Sequence, residues 1–113
     1  MYEVRFTAEA HSDIKALPKN VRNSLQKEIQ KLAADPIGWS LELREPLQGW
    51  RSHHWRNYRI IFMVLEDLET IAIAAVGKRL PGAQTDVYRQ LEHLAREGKL
   101  AERLLKALRD IER

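Results

Sequence analysis

The chain has 113 residues, enough for one domain with a single core and too few for two. Its 19 Lys and Arg against 16 Asp and Glu leave a formal charge of +3, which permits a nucleic-acid partner without demanding one. It contains no cysteine, so a disulfide framework, a thiolate nucleophile and a cysteine-based metal site are excluded.

Tyr2–Thr7 alternates Tyr, Val and Phe with Glu, Arg and Thr, the period of a half-buried strand. Thr7 can cap a helix running to Leu17 that carries Ala10, Ile14 and Leu17 on one side, and Pro18 ends it. A second helix extends to about Ala34. Its residues Val21, Leu25, Ile29, Leu32 and Ala33 form one stripe, and Asp35-Pro36 stops it. Residues 37–49, with Gly38, Pro46 and Gly49, read as a loop holding a few buried leucines.

Three strands follow, Trp50–Trp55, Tyr58–Leu65 and Glu69–Val76, with turns at Arg56-Asn57 and Glu66–Leu68. Two hairpins in a row make an antiparallel meander. The last two strands are nearly continuous Ile, Val, Leu and Ala, as central strands are. Leu80–Gln84 is a loop around Pro81-Gly82, and the remainder is helical. Val87, Leu91, Leu94 and Ala95 form one stripe; after Gly98, Leu104, Leu105, Leu108 and Ile111 form another. The expected fold is α+β in the order β-α-α-β-β-β-α. A twisted, mainly antiparallel sheet packs on an N-terminal helical hairpin, in a single domain over residues 1–113 with a helical extension over 95–113. The longest apolar runs, Ile60–Leu65 and Ile71–Val76, are far shorter than the roughly 18–20 residues of a membrane span, and no signal-peptide core opens the chain. A soluble, cytoplasmic protein with no membrane partner is expected.

From Gly49 to Met63 the sequence reads GWRSHHWRNYRIIFM, with Arg51, Arg56, Arg59, His53 and His54 and no acid; Lys78 and Arg79 follow the next strand. The acids are expected mainly on helices, paired with Lys or Arg three or four residues away, which assigns the positive excess to the sheet. A two-residue turn at Arg56-Asn57 pairs His54 with Arg59, and a turn centred on Asp67-Leu68 pairs Arg59 with Val76. His54, Arg59 and the strand end bearing Lys78 and Arg79 then share one sheet face, while Tyr58, Ile60, Phe62 and Val64 meet the helices. Adjacent histidines in a strand point to opposite faces, so only one of the pair joins this cluster. Trp50, Trp55 and Tyr58 have rings that can stack on bases, but they are read as packing residues.

Such a cluster can cleave RNA with no metal and no other cofactor, because RNA carries its own nucleophile in the 2′-OH. The reaction needs a base for that hydroxyl, cations around the crowded phosphorus and an acid for the departing 5′-oxygen. Arginine spreads fixed charge over phosphate oxygens, and histidine holds or gives a proton near neutral pH.

The strand order, the block Asn57-Tyr58-Arg59-Ile60-Ile61-Phe62, the block Val76-Gly77-Lys78-Arg79 and the later Asp86-Val87-Tyr88 resemble the RelE/ParE superfamily of bacterial toxins from toxin–antitoxin modules. The likeness covers about residues 2–92. It implies a ribosome-dependent, metal-independent endoribonuclease that cuts mRNA in the ribosomal A site and is restrained by a cognate antitoxin. It also implies that Arg59 and Arg79 bind phosphate and the transition state, and that Tyr88 stacks on or orients the substrate. At the family's second-strand base position His54 is the better match and His53 the next, with Arg51 available nearby. Arg51, His53, Arg56 and Lys78 are expected to add RNA- and phosphate-binding charge. A homodimer and a toxin–antitoxin hetero-oligomer are both compatible with the resemblance. Two other readings stand beside it: a ParE-like inhibitor of DNA gyrase that cuts no RNA, and a non-toxic RNA-binding regulatory domain on the same scaffold.

Overall fold

Thr7 begins the first helix. Its Oγ1 accepts the Ala10 N–H at 3.1 Å and donates to the Ala74 carbonyl at 3.1 Å, so one buried hydroxyl caps the helix and ties it to the sheet. The computed structural model describes residues 1–109, which places Ile111 outside the described residues. Chain order is β1 (Glu3–Phe6), α1 (Ala8–Lys15), α2 (Lys19–Ala34), β2 (Leu41–Glu42), β3 (Arg51–Trp55), β4 (Tyr58–Leu65), β5 (Thr70–Lys78), α3 (Val87–Arg96) and α4 (Lys99–Arg109), with one 3-10 turn at Glu66–Leu68. The expected α+β sheet and helical hairpin are present.

The five strands lie in the order β1-β5-β4-β3-β2. β1 runs parallel to β5, and the chain between them passes through the α1–α2 hairpin and then β2, β3 and β4; the other pairings are antiparallel. β2 falls inside the segment read as a loop. Its two residues pair Leu41 with Ser52 and Glu42 with Arg51, too short a run to show a period in sequence. β1 ends at Phe6 while β5 continues to Lys78. Groups from α1 and its cap take over that edge: the Thr7 hydroxyl meets the Ala74 carbonyl, and the Asp13 carboxylate accepts the Val76 N–H at 3.1 Å.

One register expectation is met and one is corrected. His54 pairs with Arg59, as the two-residue turn requires. Arg59 pairs with Gly77 and not with Val76, because a bulge intervenes: Phe62 pairs with Ile73 and Ile61 with Ala75, leaving Ala74 as the extra residue. Ala74 and Ala75 therefore both join the second face of the sheet, where their small side chains fit beneath helices.

The first face carries the larger aliphatic core. Ile60, Phe62, Ile71 and Ile73 from the central strands meet Ala10 of α1 and Leu25, Ile29 and Leu32 of α2. Full burial of each large side chain contributes about 1.5–3 kcal/mol. Trp50 and Tyr58 are buried and Trp55 packs partly buried against this core, so none of the three is a free stacking platform.

The second face, which carries His54 and Arg59, is partly covered by the C-terminal helices. Leu91 of α3 and Leu100 of α4 pack over Ile61, Ala74 and Ala75. Gly98, with φ +74°, makes the turn between the two helices. α4 starts at Lys99, and its buried phase is Leu100, Leu104 and Ala107; Leu105, expected on the inner stripe, is 58% exposed. The charge placement also differs. α2 carries Lys19, Arg22, Lys27 and Lys31 against one acid, the buried Glu28, so the positive excess is shared by this helix and the sheet.

Candidate functional site

The bulge at Ala74 decides which basic side chain reaches the candidate site. With Gly77 opposite Arg59, alternation along β5 puts Arg79 on the second face and Lys78 on the first, where Lys78 Nζ lies 5.7 Å from the Tyr58 ring centroid. The Arg79 N–H donates to the Asn57 carbonyl at 2.6 Å, which fixes the strand end beside the β3–β4 turn.

α3 brings Tyr88 onto that face. Asp86, 2% exposed, caps the helix by accepting the Arg89 N–H at 3.2 Å, and it also accepts the Leu80 N–H at 2.6 Å. Gly77 permits the close approach: a Cβ there would lie 3.1 Å from Val87 Cβ and Cγ2. Tyr88 then sits under Arg79, whose guanidinium carbon is 5.0 Å from the ring centroid. Arg79 Nη1 donates to Asp86 Oδ2 at 2.6 Å, so one carboxylate fixes both the helix start and the arginine. Burial works to raise the Asp86 pKa, but the hydrogen bonds from Leu80, Arg89 and Arg79 outweigh it and hold the carboxyl below the usual range.

The Tyr88 hydroxyl completes the arrangement. It lies 2.7 Å from Ser52 Oγ and 3.4 Å from His54 Nε2. Desolvation by the surrounding protein, then the nearby Arg59 and His53, lower the His54 pKa, so this imidazole is neutral at pH 7. Arg59 stands opposite His54 in the ladder, but its Nη1 turns back to the Arg56 and Tyr58 carbonyls at 3.0 and 2.9 Å. Its Nε is buried without a partner.

The structure thus brings together His54, Tyr88 and Arg79, with Arg59 adjacent to His54. It places the four expected phosphate-binding residues elsewhere. His53, 5% exposed, points to α2, with Nε2 2.9 Å from Glu28 Oε1 and Nδ1 2.6 Å from the Trp39 carbonyl oxygen. Arg51 donates through Nε to Ser40 Oγ at 2.7 Å. Arg56 stacks on Trp55, with its guanidinium carbon 4.8 Å from the ring. Lys78 takes the face opposite Arg79. Sequence reasoning missed Ser52 and Asp86. Asp86 was readable as the polar residue before a helical stripe; Ser52 had only its alternation with His54. Among the described residues no group of three or more His, Asp or Glu is placed to hold a metal ion, and no helix is long and apolar enough to cross a membrane.

The family model for the ParE toxin of the type II toxin–antitoxin system, parDE, matches residues 4–80. The chain belongs to this family, within the RelE/ParE superfamily, and is a toxin of a type II toxin–antitoxin system. Among solved structures, it is similar to the toxin–antitoxin complex RelBE2 from Mycobacterium tuberculosis, with 28% identity, a TM-score of 0.65 and coverage of 69% of this chain and 98% of that one. The intact Escherichia coli RelBE complex gives 21% identity and a TM-score of 0.60, covering 69% of this chain and 96% of that one. YafQ from Escherichia coli strain BL21(DE3) gives 14% and 0.58, covering 70% and 94%. The last two likenesses show the shared fold alone. No curated protein matches the sequence.

Proposed function

We propose that this toxin is a ribosome-dependent, metal-independent endoribonuclease that cuts mRNA at the His54–Tyr88–Arg79 cluster. The observation that carries the reading is convergence: a neutral histidine, a fixed phenol hydroxyl and a fixed guanidinium meet on one sheet face. His54 Nε2 takes the proton of the 2′-OH. The O2′–P bond forms as the P–O5′ bond breaks, Arg79 and Arg59 offset the charge gathering on the phosphate oxygens, and the leaving 5′-oxygen takes a proton from solvent. The products are a 2′,3′-cyclic phosphate and a 5′-hydroxyl. A cognate antitoxin is the expected partner, supported by the similar RelBE complexes, and the cytoplasm is the expected compartment.

Cleavage of mRNA on programmed ribosomes tests the reading. Arg79→Ala is expected to lower the rate by about 10²–10³, the usual loss for one transition-state contact. The match to the ParE family favours a second reading, inhibition of DNA gyrase without RNA cleavage. Intact mRNA together with inhibited gyrase supercoiling would overturn the first reading in favour of the second.

A further inference from the structure

Ser52 is 1% exposed, and its hydroxyl lies 2.7 Å from that of Tyr88. Ser52 and His54 are two residues apart on β3, so their side chains rise from the same face. Tyr88 arrives from α3, and its hydroxyl is also 3.4 Å from His54 Nε2. One phenol oxygen therefore links a buried strand hydroxyl to the imidazole. Its ring is covered by Arg79, and its backbone is set by the Asp86 cap and the Val87–Gly77 contact. Tyr88 is thus held at its hydroxyl, its ring and its backbone.

We propose that Ser52 is a positioning residue that fixes the Tyr88 hydroxyl against His54 Nε2. The proposal rests on the cleavage reading above. When the Ser52 O–H donates to the Tyr88 oxygen, the phenol O–H is free to donate to His54 Nε2. That bond selects the tautomer with its proton on Nδ1. The incoming 2′-OH then displaces the phenol and meets a lone pair already aimed at it.

The first test needs no RNA. In the full chain, NMR of the Tyr88 ¹³Cζ and the His54 ring nitrogens is expected to show Ser52→Ala shifting the phenol resonance and the His54 tautomer ratio. Ser52→Thr, which keeps a hydroxyl, is expected to restore both. Spectra unchanged by Ser52→Ala would overturn the proposal. The second test uses mRNA on programmed ribosomes. Ser52→Ala is expected to lower kcat about tenfold with KM within about twofold, the size of one lost hydrogen bond, and Ser52→Thr is expected to recover it. A Ser52→Ala rate equal to the wild type would overturn the positioning role. If the wild type cleaved no mRNA, the cleavage reading would fall, while the spectra would still decide whether Ser52 holds the phenol.

Discussion

The Arg79 guanidinium donates to the Asp86 carboxylate at 2.6 Å, and the same carboxylate caps α3. Charge placement and helix position are therefore coupled. Asp86→Ala removes the cap and leaves the Leu80 N–H without its acceptor, so it is expected to cost about 2 kcal/mol of stability. Asp86→Asn keeps a capping oxygen and is expected to cost less than half of that. Its main effect is a looser Arg79, read as slower cleavage. Denaturant unfolding of both variants checks the order; equal losses would show that capping is not what the residue contributes. The lowered Asp86 pKa adds a sign: its stabilisation is present above the ordinary carboxylate range and is lost as pH falls through the folded value.

His53 and His54 make a natural control for each other. His53 is buried between Glu28 and the Trp39 carbonyl, whereas His54 is exposed beside Tyr88. His53→Ala takes the partner from Glu28 Oε1, leaving the carboxylate only Lys31 at 3.1 Å on Oε2, and frees the Trp39 carbonyl, so it is expected to destabilise the fold by about 1–3 kcal/mol. His54→Ala is expected to leave stability within about 0.5 kcal/mol and to lower RNA cleavage by about 10²–10⁴. Thermal unfolding and the ribosome assay on the two variants should give opposite rankings. A loss of cleavage in His53→Ala that persists where the variant is fully folded would contradict this division.

What the sequence showed, and what it hid, follows from the range of each interaction. The Thr7 cap and the His54–Arg59 pair were legible because a cap and a two-residue hairpin are local. The Arg59–Val76 pairing was misread because nothing in the run of apolar residues marks Ala74 as an extra residue; the bulge is accommodated by two alanines packed under α3 and α4. That one residue exchanges Lys78 for Arg79 on the site face. Ser52 was invisible for a related reason: its role depends on a phenol 36 positions later in the chain. The extent of α3 and α4 over the second face likewise depended on where α4 starts, since a one-residue change of start rotates its stripe by about 100°.

Gly77 is expected to control the site from outside it. Gly77→Ala adds a Cβ 3.1 Å from Val87 Cβ and Cγ2, close enough that α3 must shift. Overpacking of this kind costs about 1–3 kcal/mol. The shift carries Tyr88 with it, because Tyr88 follows Val87 directly. The expected result is a folded variant with lower Tm and a cleavage loss larger than its loss of folded fraction. Val87→Ala in the same chain removes the Cγ2 contact and keeps the Cβ one, so it is expected to recover only part of both. Recovery of Tm without recovery of cleavage would show that Gly77 does not act through the position of α3.

The pH dependence follows from His54. Its folded pKa lies below the ordinary histidine value of 6.5, lowered by desolvation first and then by Arg59 and His53. The unfolded chain binds the proton at higher pH than the folded one. Stability from this group is therefore complete above about pH 6.5 and declines as pH falls through the folded value. In the proposed reaction His54 takes the proton as the neutral imidazole, so cleavage is expected to fall along the same acid limb and to be flat above it. Arg59→Met removes one positive neighbour, so the His54 titration and the acid limb of the rate are both expected to move to higher pH. An NMR titration of the His54 ring and a pH–rate profile on the same variant check the two shifts. A limb that stayed in place while the titration moved would mean that some group other than His54 takes the proton.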